Sequence, residues 1–201
     1  MNNFLLRALA ITAFTAAAVP VLAASSQGDT AAVFTAQASQ AGKTISFSLA
    51  DALKSGPVVV YFYPSAYTGG CDIEAHEFAT EAAKFAAAGA TIIGVSADSI
   101  QRLDTFSADP NYCAGKFPVA SDPDGKIAAS YGLKVTAADP KAKDERGVTI
   151  DHGFIERTTF VIGRDGKIAA VLSSEADHLH PKDHVSKSLA LVEQMKNPKA
   201  P

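Results

Sequence analysis

Residues 57–78 read "PVVVYFYPSAYTGGCDIEAHEF", and their reading decides the fold. Val58 to Tyr63 is a continuous β-branched and aromatic run, apolar at odd and even positions alike. It predicts a strand buried on both faces of a sheet. Beyond a Pro64–Gly70 loop, Ala75, Phe78, Ala82 and Phe85 recur at helical spacing until Gly89 ends the segment. Cys71 therefore falls where a buried strand hands over to a helix, either as a space-filler or as a nucleophile. The first turn of a helix offers unpartnered N–H groups and the positive end of the dipole, both of which favour thiolate. An ordinary thiol with a pKa of about 8.5 is only about 3% ionised at pH 7. Lowering that value by about two units takes roughly 2.7 kcal/mol, whereas a helix end supplies about 0.3–1 kcal/mol. A reactive Cys71 needs a cation from elsewhere in the chain.

Working outward, "AVFTAQ" (32–37) and "KTISFS" (43–48) predict two short strands around a Gly42 turn, and "SLADALKSG" a helix capped by Ser48 and stopped by Gly56. "TIIGVSA" (91–97) is a second buried strand. Ile100, Leu103 and Phe106 then mark a helical face, "FPVASD" (117–122) a strand and "GKIAASYGL" (125–133) a short helix. "RTTFVIGRDGKIAAVLSS" (157–174) predicts a hairpin around Asp165-Gly166, and Val185, Leu189 and Val192 one face of a last helix. This alternation predicts one layered α/β domain over residues 31–196, with no repeat. Residues 24–30 read as a flexible leader, 197–201 as a tail, and the polar 134–147 segment as a mobile surface loop.

The N-terminus stands apart. One positive charge in "MNNFLLR" precedes the apolar "ALAITAFTAAAVPVL", and small residues close it, so residues 1–23 are expected to be a signal peptide cleaved after Ala23. The run is short for a spanning helix and is broken by Pro20. The mature protein is expected to be exported to a bacterial periplasm, with no stable membrane insertion. Cleavage removes Arg7, one of 18 basic residues, and none of the 21 acidic ones, so the net charge of −3 becomes −4. An acidic chain without a basic cluster argues against a nucleic-acid partner.

Pro64, Thr68 and Cys71 form a PxxxTxxC pattern that resembles the signature of the peroxiredoxins, thiol peroxidases built on a thioredoxin-like fold with a mixed central sheet flanked by helices. The likeness extends to "VVVYFYP", to Glu74, and to "ERTTFVIGRDGKI", where Arg157 matches the family's active-site arginine; it spans about residues 31 to 196. The subgroup it is most similar to is the bacterioferritin comigratory, or Q-type, peroxiredoxins. The resemblance implies that Cys71 attacks hydrogen peroxide or an organic hydroperoxide and becomes a sulfenic acid. Thr68 and loop N–H groups, including that of Cys71, would bind thiolate and peroxide; Arg157 would stabilise charge; Pro64 would shape and shield the loop. Glu74 is read as orienting the arginines or the loop around the site, with an exposed first-turn acid favoured by the dipole as the alternative, and Tyr67 as contacting the substrate or the helix C-terminal to it. No cofactor is implied. The implied partners are a peroxide and a thioredoxin-like or other thiol reductant, and the implied assembly a monomer or weak dimer.

In many Q-type members a second cysteine stands five residues after the first; here His76 occupies that place. Cys113 is the remaining internal thiol. It is read first as a resolving cysteine expected to lie apart from Cys71 at rest, with a bystander thiol or a static disulfide as alternatives. His178, His180 and His184 invite a metal reading, but no Cys or acid cluster accompanies them and none is assigned. Asp151 and His152 either line the pocket rim or form a surface turn. Two other classes fail at named residues. A CxxC oxidoreductase meets Glu74 at its second cysteine position, and a CxxxC metal-binding thioredoxin-like protein meets Ala75.

Overall fold

The computed structural model describes residues 24–197. The expected signal peptide (1–23) and the tail beyond Asn197 lie outside the described residues. Twelve elements follow in order: β1 (Thr35–Gln40), β2 (Lys43–Ser48), α1 (Leu49–Ser55), β3 (Val58–Phe62), α2 (Gly69–Ala87), β4 (Thr91–Ser96), α3 (Ile100–Ala108), β5 (Val119–Ser121), α4 (Lys126–Ser130), β6 (Thr158–Ile162), β7 (Ile168–Ser173) and α5 (Pro181–Lys196). The strands form one seven-stranded sheet in the order β2-β1-β5-β4-β3-β6-β7. β3, β4 and β5 run parallel, and antiparallel strands flank them on both sides.

All five residues of β3 are buried, because successive side chains enter opposite cores. Val59 and Tyr61 join Phe78 of α2, Phe106 of α3 and Val185 of α5 on one face. Val58, Val60 and Phe62 join Leu49 of α1, Ala128 of α4 and Phe160 of β6 on the other. Gly94 lies opposite Tyr61 in the parallel ladder, and a Cβ there would stand 2.6 Å from the tyrosine ring. The close approach requires glycine.

Three expectations shift. β1 begins three residues later than the apolar pattern suggests, because a two-residue turn at Ala41–Gly42, both at positive φ, fixes Gln40 opposite Lys43. The 24–30 leader is not free. Ser25 N–H donates to Tyr131 O, Gly28 N–H to Ile168 O and Ile168 N–H to Asp29 O, at 3.1, 2.8 and 2.9 Å. Backbone pairing with the β6–β7 hairpin was invisible in a polar sequence. The 134–147 segment also carries an anchored turn, described below. Among the described residues no helix is long and apolar enough to cross a membrane.

Candidate active site

β3 ends in the sheet's interior, and residues 63–68 turn the chain into α2. Thr68 occupies the N-cap position in extended conformation, which places Cys71 in the first turn. The sulfur lies in the apolar cluster between sheet and helices, its residue only 2% exposed. From the strand next to β3, Arg157, immediately before β6, brings Nη2 to 3.1 Å from Cys71 Sγ. Its Nη1 donates to Glu74 Oε2, one turn along α2. A Cβ on Gly70 would stand 3.2 Å from Arg157 Nη2, so a bare backbone keeps the guanidinium's approach open.

These groups compete electrostatically. Burial pushes the Cys71 thiol up from its ordinary value. The Arg157 charge and a hydrogen bond with the Ser65 backbone pull it down, and Glu74 adds to the upward push; burial prevails. The expected cation is present, but the resting sulfur is not a low-pKa thiol, because the protein's own packing removes the water that would solvate a thiolate. Burial likewise lifts Glu74 to about 7 against the opposing pull of Arg157, and its Oε1 has no hydrogen-bond partner.

The other expected residues are placed as follows. Thr68 Oγ1 donates to Ser65 O at 2.7 Å, so its single proton must leave that carbonyl to serve the sulfur. The Cys71 N–H, expected to face thiolate and peroxide, donates instead to Thr68 O at 2.7 Å in the tight first turn. Pro64 is half-buried in the loop. Tyr67 sits at positive φ, its hydroxyl on Thr105 of α3 at 2.9 Å and its ring against Phe106 and Tyr112. Its engagement is with α3 and the following loop rather than with α2, the helix C-terminal to it, because its positive φ turns the ring toward Phe106 and Tyr112. Cys113 occupies that loop, fully buried in the same apolar cluster as Cys71; both are free, so the static disulfide reading falls.

The histidines separate. His184 is buried between Thr159 Oγ1 (3.0 Å from Nδ1) and Ser174 Oγ (2.8 Å from Nε2). Ser174 gives its one proton to Leu179 O, so Nε2 carries the hydrogen and Nδ1 accepts from Thr159. Burial and the Arg157 charge push His184 down to about 4 and keep it neutral. His180 caps α5 and His178 sits at positive φ. Among the described residues no group of three His, Cys, Asp or Glu side chains could hold a metal.

Sequence reasoning missed the hub that shapes the loop. Asp98, at the C-terminal end of β4 and fully buried, accepts from Ala66 N (2.8 Å), Ser65 Oγ (3.0 Å) and Ser96 Oγ (2.7 Å). Arg102 Nε and His152 Nε2 meet Asp98 Oδ1 at 2.8 and 2.9 Å. Burial pushes Asp98 up, yet His152 and these donors outweigh it and hold the carboxyl below its ordinary value. The available signal was an acid closing the apolar run "TIIGVSAD" at the end of a parallel strand, where α/β sites gather. His152 is therefore a buttress of the loop, not a surface turn.

A thiol pinned at a helix start by an arginine from the neighbouring strand has counterparts elsewhere. Residues 27–171 match the family model described as AhpC/TSA family. The chain is 33% identical to peroxiredoxin Bcp of Bacillus subtilis over 138 residues, 69% of this chain and 78% of that one. It superposes on the peroxidoxin BcpB crystal structure from Mycobacterium tuberculosis with a TM-score of 0.67 at 32% identity, covering 85% of this chain and 97% of the other. For the Xanthomonas campestris bacterioferritin comigratory protein the TM-score is 0.63 at 26% identity, covering 82% and 92%. Family match, fold and relatives agree with one another, and the chain belongs to the AhpC/TSA family as a peroxiredoxin of the Bcp and Q-type group, a thiol-dependent peroxidase.

Proposed function

We propose that this protein is an exported, periplasmic thiol peroxidase that reduces hydrogen peroxide and organic hydroperoxides through a sulfenic acid at Cys71. The observation that carries the reading is the 3.1 Å approach of Arg157 Nη2 to Cys71 Sγ in the first turn of α2. The thiolate attacks one peroxide oxygen and the O–O bond breaks. Sulfur is oxidised to sulfenic acid, and the leaving oxygen takes a proton and departs as water or alcohol. Arg157 stabilises the thiolate and the charge growing on that oxygen, and Thr68, released from Ser65, holds the peroxide. The Xanthomonas relative is described by its alkyl peroxide reduction activity, which supports organic hydroperoxides as substrates here.

A second thiol then attacks the sulfenic sulfur and releases water. Cys113 takes this role, and a thioredoxin-like dithiol reduces the resulting disulfide. The apolar N-terminal run supports export, and the protein acts as a monomer or weak dimer. The test is peroxide consumption with a dithiol reductant, with Cys71→Ser as control. Consumption that persists in Cys71→Ser refutes the assignment. Fractionation of cells producing the full chain tests the location: mature protein beginning at Ala24 in the periplasmic fraction is expected, and an uncleaved cytoplasmic chain contradicts it.

A further inference from the structure

The anchored turn within residues 143–149 lies against the first turn of α2. A bridge pairs Lys143 with Thr149. Inside it Asp144, buried, accepts from Arg146 N and Val148 N, both at 2.9 Å, and meets Arg146 Nη2 at 2.8 Å and Arg102 Nη2 at 2.9 Å. The Arg146 guanidinium carbon stands 3.2 Å from the centre of the Tyr67 ring. Glu145 N–H donates to Tyr67 O at 3.0 Å. These contacts aim the Glu145 side chain at the helix start, where a Cβ on Gly69 would lie 3.2 Å from Glu145 Oε1.

Pairing off the charges around the thiol leaves a remainder. Arg157 pairs with Glu74, Arg102 with both Asp98 and Asp144, Arg146 with Asp144, and Lys182 with Glu77 at 3.4 Å, so four cations face four carboxylates, and His152 shares Asp98 with Arg102. Among the described residues Glu145 and Asp72 have no ion-pair partner. Asp72 is 7% exposed, and burial first and the Glu145 charge second raise its carboxyl to about 6 against the pull of the Tyr67 and Thr68 backbone and of Arg146. Glu145 and Asp72 therefore add carboxylate charge beside the first turn of α2, with Arg146 the opposing cation next to them.

We propose that Glu145 is a specificity-determining residue: it biases the site toward uncharged hydroperoxides and against hydroperoxides that carry a carboxylate. The inference rests on the peroxidase reading. It does not place Glu145 on the reacting atoms, because its own backbone and side chain address Tyr67 and Gly69. It acts on approach and binding, so its effect is screened by salt.

The experiment uses a short alkyl hydroperoxide bearing a carboxylate and its methyl ester, a pair matched in everything but charge, with hydrogen peroxide as a third substrate. Second-order rate constants are measured by stopped flow for the wild-type protein, Glu145→Gln, Glu145→Lys and Glu193→Gln. The last removes one exposed acid near the far end of α5 and controls for net charge. In the wild-type protein the ester reacts faster than the acid, and Glu145→Gln narrows that ratio by about three- to fivefold at low ionic strength. Glu145→Lys narrows it further, Glu193→Gln leaves it unchanged, and hydrogen peroxide is little affected by any of them. High salt compresses the wild-type ratio. A ratio unchanged in both Glu145 variants, or one that Glu193→Gln moves equally, overturns the proposal. A wild-type chain that consumes none of the three peroxides overturns the peroxidase reading itself, and this proposal with it.

Discussion

Arg157→Ala removes one side chain that touches two others, and the structure separates its effects. Losing the 3.1 Å contact with Cys71 Sγ removes a hydrogen bond to an ionised group. Such bonds contribute about 1.5–3 kcal/mol, or about 10- to 150-fold in a rate that depends on thiolate. Glu74 loses its partner at the same time. A charged carboxylate left buried and unpaired would cost about 3–5 kcal/mol. Glu74, however, already titrates at about 7 with Arg157 in place, so without it the carboxyl takes a proton at neutral pH and the fold survives. That proton also cancels the upward push of Glu74 on Cys71, which moves the expected loss toward the lower part of the range. The assay is stopped-flow reaction of reduced protein with hydrogen peroxide from pH 6 to pH 10, with circular dichroism to verify folding. The thiolate share of the loss is recovered as pH rises and the variant's sulfur ionises. The share from stabilising the leaving oxygen persists as a gap at high pH. A folded variant with the wild-type rate constant at pH 7 refutes the reasoning.

Three further outcomes are expected. Glu74 binds its proton more tightly folded than unfolded, so native stability falls as pH rises from about 4.5 to about 7, by roughly 3 kcal/mol for this carboxyl; urea unfolding at pH 5 and pH 8 should show the fall, and Glu74→Gln should remove most of it, whereas an equal fall in the variant assigns the effect elsewhere. Asp98→Asn leaves Arg102 and His152 short of their buried partner and should cost roughly 3 kcal/mol of stability while slowing the peroxide reaction through the loosened Ser65–Ala66 loop; a variant with wild-type urea midpoint and rate contradicts the hub. One equivalent of peroxide should yield a 71–113 disulfide detectable by mass spectrometry, and oxidised Cys71 beside a free Cys113 would make the protein dependent on an external thiol.

What the sequence disclosed and what it hid have physical reasons. β3, α2 and the hairpin were legible because burial on both faces, a 3.6-residue period and an Asp-Gly turn each leave a mark in consecutive residues. The energetics of a helix-start thiol called for a cation without saying which; Cys71 and Arg157 were marked by their resemblance to the peroxiredoxin pattern, PxxxTxxC and the arginine before a buried strand. Asp98 stayed hidden because its role is wholly tertiary: its partners come from residues 65, 66, 96, 102 and 152. The 143–149 turn was misread for the same reason. Polar residues look solvated in sequence, yet Asp144 is buried because five donors from its own turn and from Arg102 satisfy it.

The raised thiol has a consequence for how the site reacts. Cys71 and Glu74 share one guanidinium, so transferring a proton from sulfur to carboxyl changes no net proton count, and pH alone does not choose between the two arrangements. Glu74 at about 7 and a thiol held above its ordinary value place that proton on sulfur at rest, with the carboxylate drawing on Arg157. A low-pKa thiolate would be more abundant but intrinsically a weaker nucleophile. The resting site thus keeps few sulfurs ionised, and each one that forms sits in a dry pocket beside a cation. As the O–O bond breaks, negative charge leaves sulfur for the departing oxygen. Arg157, already fixed between α2 and β6 by Glu74, can follow that charge without reorganising. On this account Glu74 matters because it holds the guanidinium still, and its cost in thiolate population is the counterpart of that rigidity.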